Sequence, residues 1–121
     1  MKRDMDLVRK ILLAMEESSH GYFNGRLVID GYSVDQIGHH VYLMMQAGLV
    51  EGAESTTHND QSPVAIPTAL TWQGHEFLDA CRNESIWNKA KEKLQSLGGN
   101  VPFDVMKAVL IDIMRKQVIG T

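Results

Sequence analysis

A single cysteine, Cys81, leaves this 121-residue chain without an internal disulfide and without the clustered thiols of a zinc site. Long apolar runs are equally scarce. Ile11-Leu12-Leu13-Ala14-Met15 is far too short to span a bilayer, and the mixed charges ahead of it, Asp4, Asp6, Arg9 and Lys10, are not the layout of a signal peptide. The reading this leaves is a cytoplasmic protein with no membrane partner. Positive charge is short too. The formal net charge is -3, and no lysine or arginine stands between Arg26 and Arg82, so nothing attracts nucleic acid or anionic lipid to the chain as a whole. No glycine-rich phosphate loop and no nucleophile elbow can be found, and the chain is read as a non-enzyme with no cofactor.

What the chain has is apolar residues at 44%, enough for one domain with a buried core. Met5, Val8, Ile11, Leu12 and Met15 recur at three- and four-residue steps and predict a first helix over 4–17, with Asp4 as its cap. Asn24-Gly25 is a turn dipeptide, and Arg26 to Ile29 is expected as a short strand closed by Asp30-Gly31. Ser33 followed by Gln36 makes a capping box for a second helix, with Val34, Ile37, Val41, Met44 and Met45 as its buried stripe and Gly48 as its left-handed exit. Gly38 is the weak point of that helix. It costs about 1 kcal/mol against alanine and offers a place for the segment to split.

Leu49 to Ala53 and Val64 to Thr71 are expected as antiparallel strands around an irregular loop, Glu54 to Pro63. Thr71 then caps a third helix from Trp72 to about Arg82, with Phe77, Leu78 and Cys81 inward and Trp72 as a core plug. Two further helices follow. One opens near Asn83 and carries Trp87, Ala90, Leu94 and Leu97 until Gly98-Gly99. The other starts around Pro102 and carries Phe103, Met106, Val109, Leu110, Ile113 and Met114. The fold class expected is α+β, a winged helix over 1–83 with a helical hairpin over 84–121 in the same domain.

Several strings carry a resemblance. Met1-Lys2-Arg3-Asp4-Met5-Asp6 running on to Leu13, the His40 to Leu49 stretch ending Ala-Gly-Leu-Val, Leu70-Thr71-Trp72-Gln73-Gly74-His75-Glu76-Phe77-Leu78 running on to Asn83, and Trp87-Asn88-Lys89-Ala90-Lys91-Glu92-Lys93 are similar to a small bacterial and phage family catalogued as a domain of unknown function. The likeness covers nearly the whole chain and implies no activity. More loosely, the Leu-Thr-x-x-Gly strand end resembles that of winged-helix transcriptional regulators, a likeness of fold, which does not fix function.

A winged helix on DNA uses a helix in the major groove and a wing along phosphates. The candidate reading residues here are Gln36, His39, His40 and Tyr42, all expected on the exposed face of the second helix, with Arg9, Lys10, Lys89 and Lys93 as candidate phosphate contacts. Against this, Glu51, Glu54 and Asp60 make the wing acidic, and phosphate neutralisation supplies much of ordinary DNA affinity. The same basic residues serve equally to solvate helix faces. His39 and His40 are adjacent and point about 100° apart on a helix, while His75 and Cys81 are too far apart in sequence to lie side by side, so no metal is assigned. Trp87, Leu94, Phe103 and Leu110 are candidate interface residues for a homodimer built through the hairpin. Two uses therefore stand side by side: a DNA-binding regulatory protein contacting double-stranded DNA, or a module that keeps the fold and presents its acidic wing to another protein.

Overall fold

The computed structural model describes residues 1–119. Its elements run α1 (Met5–Glu16), α2 (Val34–Gln46), β1 (Val50–Glu54), β2 (Ala65–Leu70), α3 (Trp72–Cys81), α4 (Glu84–Gln95) and α5 (Phe103–Ile119), with one two-stranded antiparallel sheet, so the chain is α+β. It divides into two compact units, Met1–Glu76 and Phe77–Thr121, the division falling inside α3 and ahead of Asn83.

In the first unit, Asp4 caps α1 by accepting a hydrogen bond from the Leu7 amide at 3.2 Å, and Leu7, Val8, Ile11, Leu12 and Met15 form the buried stripe. That stripe packs on α2. The α2 capping box forms as the residues dictate: the Ser33 hydroxyl accepts from the Gln36 amide at 3.1 Å, and the Gln36 side chain accepts from the Ser33 amide at 2.8 Å. Gly38 does not split the helix. A methyl group there would lie 3.1 Å from Cβ of Val64, so its bareness lets the chain entering β2 come close. At the far end, Gly48 takes φ +75°, and the Leu49 and Gly48 amides donate to the Met44 and Met45 carbonyls, closing the last turn.

The hairpin pairs Val50 with Leu70 at its base and Glu54 with Ala65 at its top, with an irregularity after Glu51 that leaves Thr68 unpaired with β1. The connecting loop is held by its own bonds. Asp60 accepts from the amide and hydroxyl of Thr57, the Ser55 amide donates to the Val64 carbonyl, and the Val64 amide donates to the Thr56 hydroxyl. At the other end of β2, the Thr71 hydroxyl donates to the Gly48 carbonyl at 2.6 Å and accepts from the Gly74 amide at 2.9 Å, joining the α2 exit to the start of α3. Gly74 completes the joint, because any Cβ there would run into the Leu49 carbonyl oxygen. The Leu-Thr-x-x-Gly string is thus a structural clasp.

Several expectations fail in this unit. Arg26 to Ile29 is not a strand: the Phe23 amide donates to the Thr68 carbonyl at 2.7 Å, but no ladder continues from there. β2 contains Pro67, which breaks the row of donors a third strand needs. Val34 does not join the buried stripe of α2 but stands 64% exposed, one turn ahead of the core. Trp72 is no core plug. It is 78% exposed, and its indole N–H donates to Glu76 one turn along the same helix.

In the second unit, Asn83 caps α4 by accepting from the Ile86 amide at 3.0 Å, and Gly98 and Gly99 stop that helix with positive φ. α4 packs on α5. Ile86, Trp87, Ala90 and Leu94 from α4 and Met106, Leu110 and Ile113 from α5 are buried, and the Phe77 ring sits 4.8 Å from that of Phe103. Cys81 is buried among the apolar residues. The expected hairpin range runs to residue 121, of which 120 and 121 lie outside the described residues.

Candidate interaction surfaces

The side of α2 facing the hairpin loop gathers several of the candidate residues, and intramolecular bonds already occupy most of them. His39 contacts the Pro63 carbonyl through Nδ1 at 2.7 Å; a carbonyl only accepts, so Nδ1 carries the proton and donates. The His39 ring stacks on Tyr42, with centroids 6.2 Å apart, and the Gln46 amide donates to the Tyr42 hydroxyl at 3.4 Å. Together with the close seat of Val64 against Gly38, this fastens the loop to the helix. Gln36 is half-buried with its oxygen committed to the capping box. The fully exposed residues of α2 are Val34, Asp35 and Gln46.

His40 corrects the sequence reading outright. It is 2% exposed, so it is not a residue of an outward face. Nε2 accepts from the Asp4 amide at 2.9 Å, which assigns the proton to Nδ1, and Nδ1 donates to the Gln36 carbonyl at 2.8 Å. The imidazole therefore holds the cap of α1 against the middle of α2. Tyr32 reinforces the same joint by donating its hydroxyl to the other Asp4 oxygen at 3.0 Å. Desolvation, then this hydrogen bond and the charges of Asp4 and Asp6, push the Tyr32 phenol up to about 12.

The basic candidates divide between the units. In the first, Lys2, Arg3 and Lys10 are exposed, Lys10 sits 5.5 Å from the Tyr32 ring centre, and Arg9 is half-buried and already engaged. In the second, Lys89 and Lys93 are exposed one turn apart on α4. The residues put forward for a dimer are mostly consumed by the core of their own unit: Trp87 is 1% exposed, Leu94 and Leu110 are buried, and Phe103 is half-buried against Phe77. Their seven-residue spacing, Trp87 to Leu94 and Phe103 to Leu110, matches the packing of α4 on α5.

Two clefts open in the first unit. One, of about 390 Å³, opens between residues 24–27, the first turns of α2 and β2, and is lined by Leu27, Val34, Ile37, Val41, Ile66 and Pro67 with Arg26 at its side. It opens beside Arg26 and Leu27, the first two residues of the segment expected as a strand. The other, of about 210 Å³, brings His20 and His75 to one hollow beside Glu16 and Ser18. The Ser18 hydroxyl there donates to the Tyr22 carbonyl, which is a turn contact. Among the described residues, no three His, Cys, Asp or Glu side chains gather as a metal site, and no helix is long and apolar enough to cross a membrane.

Residues 2–100 match the family described as "Hypothetical protein (DUF2513)". An uncharacterized protein of Haemophilus influenzae is 36% identical over 121 residues, covering 98% of this chain and 99% of that protein. No solved structure matches the chain.

Proposed function

The chain belongs to the DUF2513 family of hypothetical proteins, and on that premise we propose that it is a winged-helix protein acting as an interaction module for another protein. The winged-helix reading is supported by the order of parts: a capped α2 leaving through Gly48, an antiparallel hairpin whose loop is the wing, and α3 opening on Thr71 at the hairpin's end. One observation carries the choice of partner. On α2 and the hairpin, where a winged helix meets DNA, there is no lysine or arginine, the exposed charges are Asp35, Glu51 and Glu54, and none of Gln36, His39, His40 and Tyr42 is fully exposed. A neutral-to-acidic face suits a basic or neutral protein surface, which needs no counterion release.

A second reading, binding of double-stranded DNA by a bacterial or prophage-type regulator, rests on exposed Lys2, Arg3 and Lys10 at the start of the chain and Lys89 and Lys93 on α4. A photo-crosslinking residue at Gln46, used in the cell that makes the protein, separates the two. Protein adducts are expected, and DNA adducts overturn the proposal. Anisotropy with mixed-sequence duplex DNA gives the complementary test. Binding whose log K falls by roughly 0.9 per phosphate contact for each tenfold rise in salt, and that weakens in Lys89→Gln/Lys93→Gln or Arg9→Gln/Lys10→Gln variants, establishes the second reading instead.

A further inference from the structure

We propose that the 390 Å³ cleft of the first unit is a binding site for a small molecule with an apolar body and a single carboxylate. The cleft opens beside a segment that does not pair with β2. After the Phe23–Thr68 hydrogen bond, residues 24–27 run beside β2 without pairing, and the space between them is floored by Ile37, Gly38 and Val41 of α2. Its volume lies within the roughly 300–1,000 Å³ usual for small-molecule sites, and its lining has their composition, aliphatic with few polar groups.

The lining carries two polar side chains, Asn24 and Arg26, and the charged one, Arg26, orients a ligand. Between Lys10 and Arg82 it is the one lysine or arginine in the sequence, and it stands at the wall of this cleft. It is exposed and, among the described residues, makes no hydrogen bond or ion pair, so its guanidinium fork is open to a planar anion. Val34 and Ile66, both large, apolar and more than half exposed, are cleft-lining residues that leave apolar surface in water when nothing covers them. An apolar body covers them, and a carboxylate at its end meets Arg26. Charge selects the acid over a neutral or basic compound of equal length. The site also bears on α2, since Val34, Ile37, Gly38 and Val41 belong to the same helix that carries His39, Tyr42 and Gln46.

Amide NMR titrations with octanoate, octanol and octylamine test this. Octanoate is expected to shift the signals of Val34, Ile37, Gly38 and Ile66 saturably, with octanol about five- to tenfold weaker and octylamine weaker still. Arg26→Gln, at an exposed position without an intramolecular hydrogen bond or ion pair among the described residues, is expected to bring octanoate down to the level of octanol and leave octanol unchanged. Ile66→Glu, also exposed, is expected to abolish octanoate binding by placing a like charge beside the apolar wall. The proposal is overturned by any of three results: no saturable shift up to the solubility of octanoate, shifts scattered away from the cleft, or octanoate affinity indifferent to Arg26→Gln.

Discussion

Replacing Gly74 by alanine sets two effects of opposite sign against each other, with Gly38→Ala as the internal control. Both glycines lie inside helices, and helix propensity alone makes each substitution stabilising by about 1 kcal/mol. Their surroundings differ. The methyl group at Gly74 lands far inside contact distance of the Leu49 carbonyl, whose oxygen also accepts from the Thr71 amide at 3.1 Å. A backbone held from both sides cannot rotate away. Relief therefore requires the start of α3 to lift from the hairpin, straining the Thr71 bonds to Gly48 and Gly74 as well. Overpacking of this kind costs about 1–3 kcal/mol, and a rigid obstacle puts it at or above the top of that range, so a net loss of about 2 kcal/mol or more is expected after the propensity gain. At Gly38 the obstacle is the Val64 side chain at 3.1–3.2 Å, which yields by a few tenths of an ångström, so stability should stay within about 1 kcal/mol of wild type. Urea unfolding followed by circular dichroism reads both midpoints. A Gly74→Ala protein as stable as the wild type would refute the clasp, because propensity would then have won where the backbone should have stopped it.

The His40 joint should respond to chemistry more than to size. His40→Leu strands the Asp4 amide without an acceptor and is expected to cost about 1–3 kcal/mol, whereas His40→Gln, which keeps an acceptor within reach, should lose less; equal losses in urea unfolding would remove the hydrogen bond from the account. Tyr32 contributes a pH dependence whose sign is fixed by its raised pKa. The folded state keeps the phenol proton that the unfolded chain releases near pH 10.0, so this stabilisation is complete below that pH and is lost as pH rises toward about 12; unfolding midpoints of Tyr32→Phe should lack that alkaline decline relative to wild type. Trp87→Ala should cost about 3–5 kcal/mol in the second unit, as for a core tryptophan, and leave the sedimentation behaviour of the folded protein unchanged; a change of assembly state without loss of stability would return Trp87 to an interface.

Local chemistry was legible in the residues. Asp4, Ser33 with Gln36, Thr71 and Asn83 each carry a cap whose partner lies three residues on, and Gly48 carries a left-handed exit, so helix starts and stops are written within one turn of chain. The hairpin was legible for a similar reason, since Gly48-Leu49-Val50 and Leu70-Thr71 bracket a polar loop. What misled was any inference from periodicity to a particular neighbour. Val34 and Trp72 keep the apolar spacing but sit in the first turn of their helices, beyond the partner surface, and so are exposed. Arg26 to Ile29 has strand-like residues, but pairing needs a donor row on β2 that Pro67 interrupts.

By itself, then, the amino-acid order determined where each helix begins and ends, that the mid-chain positions lack cationic side chains, and that one small α+β chain would result, because caps, turns and charge act over a few residues. Only the tertiary structure decided that His40 is an interior clasp, that His39 holds the loop, that Trp87 belongs to a core, and that Arg26 lines a cleft instead of opening a strand. Those outcomes depend on which distant groups come together, such as Asp4 with His40, Pro63 with His39 and Leu49 with Gly74, and the burial and hydrogen-bond satisfaction of long-range pairs are properties of packing that no local pattern encodes.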